Sequence, residues 1–195
     1  MTAEPISNAD LVAALKRRGA SREADLAQRA RERQSDAWTQ IYHENYEKLF
    51  RYVYARLRDR ETSEDLTATV FLEALKSIGG YRHAGRPLLA WLYTIARNVV
   101  NQHHRSRFRR GADRVVLGKD VALAADPGAD QLPPVERIDL YDAVGHLPDS
   151  QREVIILHYF VGLTIPEAAE VLGKHERAVY SLQTRAVKAL RRRLG

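Results

Sequence analysis

The chain has 195 residues, room for one medium domain or two small ones, and a formal net charge of +6 that points to a polyanionic partner, nucleic acid or an anionic membrane surface. It has no cysteine, which excludes disulfides, thiolate nucleophiles and cysteine zinc sites. No apolar run reaches the ~20 residues of a membrane span and the N-terminus has no signal-peptide stretch, so a soluble, cytoplasmic protein is expected.

From Ser7 to Gln34 the sequence is polar with mixed charge, and Leu11, Ala14, Leu15 and Leu26 are too few for a core, so a frayed or partner-dependent helix is expected. Residues 36–58 carry Trp38, Ile41, Tyr42, Leu49, Phe50, Val53 and Leu57 at helical spacing. A second helix is predicted to open at Thr62 as cap, with Asp65 three residues on. Leu66, Val70, Ala74 and Ile78 form its stripe, and Gly79 and Gly80 end it. After the loop "GGYRHAGR", Pro87 starts a third helix whose buried stripe is Leu88, Leu92, Ile95, Ala96 and Val99. Trp91 lies in the same apolar run and is assigned to packing. The third helix ends in Arg105, Arg107, Arg109 and Arg110, a charge that packing does not require.

Residues 111–135 dissolve into Gly, Ala, Asp and Pro, with Asp113, Asp120, Asp126 and Asp130 giving the segment a charge opposite to the basic helix end before it. Composition alone reads this as a solvated spacer. Beyond it, Ser150 with Glu153 matches a capping box before an apolar run that Gly162 ends, and Thr164 with Glu167 matches another at the start of "TIPEAAEVLG". Gly173 and a short turn then lead into "ERAVYSLQTRAVKALRRRL". A short helix, a glycine-bearing turn and a second helix make a helix-turn-helix, with Ile165, Leu172, Val179 and Leu182 as the core between them.

The expected fold is therefore all-α: two small helical domains joined by a flexible acidic linker, the C-terminal one a helix-turn-helix. The expected boundaries are 1–34 for an N-terminal extension, 35–110 for the first domain, 111–135 for the linker and 136–195 for the second domain.

The second helix of a helix-turn-helix leads into the major groove with its N-terminal part. Lys174, His175, Arg177, Ala178 and Ser181 are thereby placed for base or phosphate contacts, while Thr184, Arg185 and Lys188 continue the outward face toward the backbone. Arg191 to Arg193 suit either the DNA backbone or a solvated helix end. On the third helix of the first domain, Arg97, Asn98, Asn101, Gln102 and Arg105 mix amide and guanidinium groups along what reads as an exposed surface. Tyr81, Arg82 and His83 in the preceding loop are suited to an unstacked base. Glu64 and Asp65 sit where helix-start acids usually sit, and no phosphate loop or nucleophile elbow occurs. His103 and His104 are adjacent and so diverge on a helix. No catalytic site, metal or cofactor is expected.

In order and spacing, "SEDLTATVFLEAL", "AWLYTIARNVV" with its basic end, "LPDSQREVIILHYFVGLTIPEAAEVLG" and "RAVYSLQTRAVKALR" resemble bacterial sigma factors of the extracytoplasmic-function (ECF) type, which keep only region two and region four. The resemblance covers about residues 36–194. It implies a subunit without catalytic activity that binds core RNA polymerase and directs it to promoters. Region two would dock on the polymerase clamp through Asp65, Leu66, Phe71 and Leu72. It would recognise the minus-10 element through Tyr81, Arg82, His83, Arg97, Asn98, Asn101, Gln102 and Arg105. Region four would read the minus-35 element through Lys174, His175, Arg177, Ala178, Ser181, Thr184, Arg185 and Lys188. The acidic linker would thread toward the RNA exit path, and an anti-sigma factor is a further partner of such proteins. Ala68 and Thr69 stand where relatives commonly carry Gln and Glu, and Tyr180 and Leu182 where they carry cations. Two rival readings are a self-sufficient repressor or activator, for which no dimerisation helix is evident, and a nuclease built on Glu64, Asp65 and the histidines.

Overall fold

The computed structural model describes residues 8–82, 87–109 and 134–195. His83, Arg110 and the acidic segment with Asp113, Asp120, Asp126 and Asp130 lie outside the described residues. The described residues are helical throughout, as expected: α1 Asn8–Arg31, α2 Ser35–Leu57, α3 Arg60–Ser77 with a 3-10 turn at Ile78–Gly80, α4 Leu88–Arg109, α5 Pro134–Gly145, α6 Asp149–Ile155 running into a π-helical turn at Ile156–Phe160, α7 Ile165–Leu172 and α8 Glu176–Leu194.

Helices α2, α3 and α4 pack on one another. Their apolar stripes meet in a core where Ile41, Leu49, Tyr52, Val53, Val70, Leu92, Tyr93, Ala96 and Val100 are buried. Tyr93 donates to the Lys48 carbonyl at 3.3 Å and packs edge-on to Tyr52 at 5.5 Å, which ties α4 to α2.

Helix α1 departs from the expected frayed segment. It docks on α2 and on the 3-10 turn, burying Leu26, Ala27 and Ala30. Trp38 of α2 donates its indole N–H to the Ala30 carbonyl at 3.0 Å, and Glu23 accepts from the Leu88 N–H at the start of α4. One leucine and two alanines contribute roughly 3 kcal/mol, which suffices to dock a helix against a formed core.

The start of α3 also differs. Its cap is Asp59, whose carboxylate accepts from the Thr62 N–H at 2.8 Å, and Thr62 lies inside the first turn. Arg58, just before it, ends α2 in the left-handed region at φ 54°.

The C-terminal unit forms around Val154, Ile156, Leu157, Ala168, Val171, Val179 and Ala186. The expected capping box of Ser150 and Glu153 does not form. Pro148 holds the chain extended and the helix begins at Asp149, so Glu153 is too far along to reach back and is spent elsewhere. The box of Thr164 and Glu167 is present: the Glu167 carboxylate accepts from the Thr164 N–H at 2.8 Å and the Thr164 hydroxyl accepts from the Glu167 N–H at 3.4 Å. Gly162 at φ 83° and Gly173 at φ 61° provide the left-handed turns on either side of α7.

The two units touch. Helix α4 packs on α7, and α2 on the π-helical turn.

Hydrogen bonds from Thr62 hold the Asp59 carboxyl below the usual carboxylate range. A depressed folded pKa gives stability that is complete above the unfolded pKa and is lost as pH falls through the folded one. Asp59→Ala is therefore expected to lower stability by about 1 kcal/mol at pH 7, and the gap should close on acidification, as followed by thermal unfolding across pH.

Candidate nucleic-acid interface

The helix-turn-helix presents its recognition face as the spacing predicts. Val179, Leu182 and Ala186 are buried, and Lys174, His175, Arg177, Ala178, Ser181, Thr184, Arg185 and Lys188 are all exposed. Thr184 donates to the Tyr180 carbonyl at 2.9 Å and Arg185 to the Ser181 carbonyl at 3.1 Å, which holds these side chains along the helix. Tyr180 stands out beside them, exposed. This face is a ridge of donors and cations shaped for the wide groove of a duplex.

Helix α4 is divided. Asn98, Gln102 and Arg105 are exposed, and Asn98 and Gln102 line a groove between α3 and α4 with Thr69, Glu73 and Trp91. Arg107, Phe108 and Arg109 continue the exposed basic end, with the Phe108 ring 69% exposed among the guanidiniums. Arg97 and Asn101 do not share that surface. Both are half-buried, Arg97 turned to Glu153 of the C-terminal unit and Asn101 to Arg56 of α2, which corrects the expectation of one continuous exposed stripe.

The loop residues separate in the same way. Arg82 is exposed and donates to the Gly79 carbonyl at 3.2 Å. Tyr81 is only 4% exposed and packs against the Trp91 ring at 5.2 Å, so its face is covered rather than offered to a base. Burial pushes its phenol up to about 12, with Glu23 of α1 and Glu170 of α7 adding to the rise. Trp91 is partly buried against the core, in line with its assignment to packing.

On α3, Asp65 and Leu72 are exposed and Leu66 is half-buried. Phe71 turns inward, 8% exposed, against Tyr42 at 4.8 Å and Tyr46 at 6.4 Å. The outward patch is instead formed by Leu72, Leu75 and Tyr42, each at least 36% exposed.

Between the units lies a polar cluster that the sequence reading missed. The Glu153 carboxylate of α6 accepts from the Arg97 Nε–H at 3.1 Å and 3.2 Å. It also meets Arg56 Nη1 at 3.4 Å. Arg56 in turn donates through Nη2 to the Asn101 side-chain carbonyl at 3.3 Å. Arg56 and Glu153 are buried, and among the described residues Glu153 is the only buried carboxylate. Nearby, the Arg58 guanidinium lies over the Tyr141 ring at 5.6 Å. One signal for Arg56 existed: Leu49, Tyr52, Val53 and Arg56 fall on one helical face, so an arginine occupies an apolar position.

Comparison with known proteins matches both units. Residues 41–110 match the family model for sigma-70 region 2, and residues 137–190 that for sigma-70, region 4. Over 175 residues the chain is 37% identical to "ECF RNA polymerase sigma factor BldN" of Streptomyces coelicolor, an alignment covering 89% of this chain and 66% of that relative. It is 30% identical over 176 residues to "ECF RNA polymerase sigma factor SigK" of a Mycobacterium species, covering 87% of this chain and 89% of the relative. Among solved structures, the sigma factor RpoE in complex with the anti-sigma factor NepR from Bartonella quintana superposes with a TM-score of 0.66 at 25% identity, over 80% of this chain and 95% of that one.

The contrast on α3 predicts separable effects. Phe71→Ala is expected to cost about 3 kcal/mol in thermal or denaturant unfolding, whereas Leu72→Ala should stay within about 0.5 kcal/mol of the parent because it empties no packed volume.

Proposed function

The chain belongs to the ECF sigma factors of bacterial RNA polymerase, and on that premise we propose how its surfaces divide the work of that class, which is to bind core polymerase and direct promoter-specific initiation. The observation that carries the reading is the order of the two matched regions, each on its own helical unit, with the recognition face of the second unit open.

Asp65, Leu66 and Leu72 of α3 form the part of region two that meets the polymerase clamp. The exposed apolar patch around Leu72 supplies desolvation energy there, and Phe71 supports the patch from beneath. Asn98, Gln102 and Arg105 of α4, with Arg82 and His83 in the loop, bind the minus-10 element as melted strand, where amide groups match base edges and cations match phosphates. Arg97 joins them once region four moves off α4, and Tyr81 braces the loop from below. In region four, Lys174, His175, Arg177, Ala178 and Ser181 meet the minus-35 duplex, with Thr184, Arg185 and Lys188 along its backbone.

The protein has no catalytic activity of its own in this scheme; the polymerase makes the bonds. It acts in the cytoplasm with that enzyme, and an anti-sigma factor is its further partner. Among the described residues no helix is long and apolar enough to cross a membrane.

The assignment of α8 is tested by Arg177→Ala with reconstituted core polymerase and a randomised promoter library. Initiation that depends on the upstream motif should fall by about tenfold or more, the scale of one lost base or phosphate contact, while core binding is unchanged. Equal loss of both overturns the assignment.

A further inference from the structure

The seam between the units places a carboxylate of region four on the DNA-facing residues of region two. We propose that Glu153 is the latch of an autoinhibited state, in which region four closes on α4 and keeps Arg97 from single-stranded promoter DNA until the two units are drawn apart. The proposal rests on the assignment of α4 to the minus-10 strand.

The geometry sets latch and DNA in competition. Both Glu153 oxygens lie within 3.2 Å of Arg97 Nε, so the single Nε–H already has an anionic acceptor. A phosphate brought to Arg97 would have to share the guanidinium with this carboxylate and would meet its negative charge within a few ångströms. Asn101 is held within region two, its carbonyl oxygen accepting from Arg56 Nη2 at 3.3 Å, and Arg56 in turn meets Glu153 through Nη1 at 3.4 Å. Asn98, one residue away from Arg97, points elsewhere and stays exposed, so the closed state masks part of the surface and leaves part for a first encounter.

The charges also explain why closure is reversible. Arg56 is buried with Nε and Nη1 lacking a hydrogen-bond acceptor, and Arg152 is a third guanidinium close by, itself bonded to the Leu147 carbonyl at 3.0 Å. Its pKa is lowered chiefly by burial, with Arg56 among the further causes. Against these stand Glu153 and the largely exposed Asp149. Desolvating such a cluster offsets much of its Coulombic gain, so closure is only modestly favoured. Removing Glu153 leaves Arg56 and Arg97 facing each other without a counter-charge, and the seam should open.

The test uses the full chain. Because the protein has no cysteine, Glu44→Cys and Arg192→Cys, both at exposed positions, take a donor–acceptor dye pair that reports the separation of the units. Glu153→Ala, and Glu153→Gln as a variant that keeps the side chain's size, should each lower energy transfer. In unlabelled protein they should bind a fluorescein-tagged single-stranded 12-mer of mixed sequence about fivefold more tightly, because affinity scales with the fraction of binding-competent molecules. Circular dichroism matched to the parent guards against unfolding. Unchanged transfer in both variants overturns the latch, and so does lower transfer without a gain in affinity. Asn98→Ala within Glu153→Ala separates the two readings: loss of affinity there supports the assignment of α4, while no change means that assignment has failed and the masking with it, whatever the transfer shows.

Discussion

Successive residues on an α-helix point about 100° apart, and the functional surfaces of region two depend on how α4 meets that constraint. Leu88, Leu92, Ala96 and Val100 spend one face on the core. Asn98 and Gln102 take a second, toward the groove with α3. Arg97 and Asn101 fall on a third, where Asn101 meets Arg56 of α2 and Arg97 meets Glu153 of region four. Residues that are neighbours in sequence and alike in chemistry are thereby assigned to different tasks. A surface that looks like one basic, amide-rich strip in one dimension is two surfaces in three.

Region four carries no equivalent division. Its recognition residues from Lys174 to Lys188 point away from the core formed by Val179, Leu182 and Ala186. The contacts it makes with region two come from α5, α6, α7 and the π-helical turn. In the closed arrangement the face proposed for the minus-35 element is open and the one proposed for the minus-10 element is partly covered. The asymmetry follows from where Glu153, the one buried carboxylate among the described residues, sits. An acid on α6 can reach α4 without touching α8, so one unit can be masked by the other without being masked in return.

Much of this was legible in the sequence, for reasons specific to each element. The helix-turn-helix was readable because Thr164, Glu167 and Gly173 use side-chain chemistry tied to fixed offsets. The stripes of α2, α3 and α4 were readable because large apolar residues recur at helical spacing. Helix α1 was not, because Ala27 and Ala30 bury little area and contribute through close approach to a neighbour that sequence does not display. The match of Ser150 and Glu153 to a capping box misled because the helix begins two residues earlier, after Pro148. Glu153 then takes partners on α2 and α4, and no local pattern encodes them. Tyr81 was assigned an outward role by its chemistry and Phe71 by the family resemblance, but each ring found aromatic neighbours, and burying a ring outweighs what exposure would gain.

The placement of the patch proposed to face the polymerase constrains how the closed state can be relieved. Leu72, Leu75 and Tyr42 remain exposed with the seam shut, so a partner that grips only α3 binds closed and open molecules alike. A ligand with equal affinity for two states shifts nothing between them, however tightly it binds. Opening therefore has to come from contacts that differ between the states: a competitor for Arg97, or a partner that holds region four away from α4 while α3 is docked. A polymerase that engages both regions at a fixed separation meets the second condition, and a promoter strand reaching α4 meets the first. Each makes the other easier, because whichever acts first has already broken the contacts of Glu153.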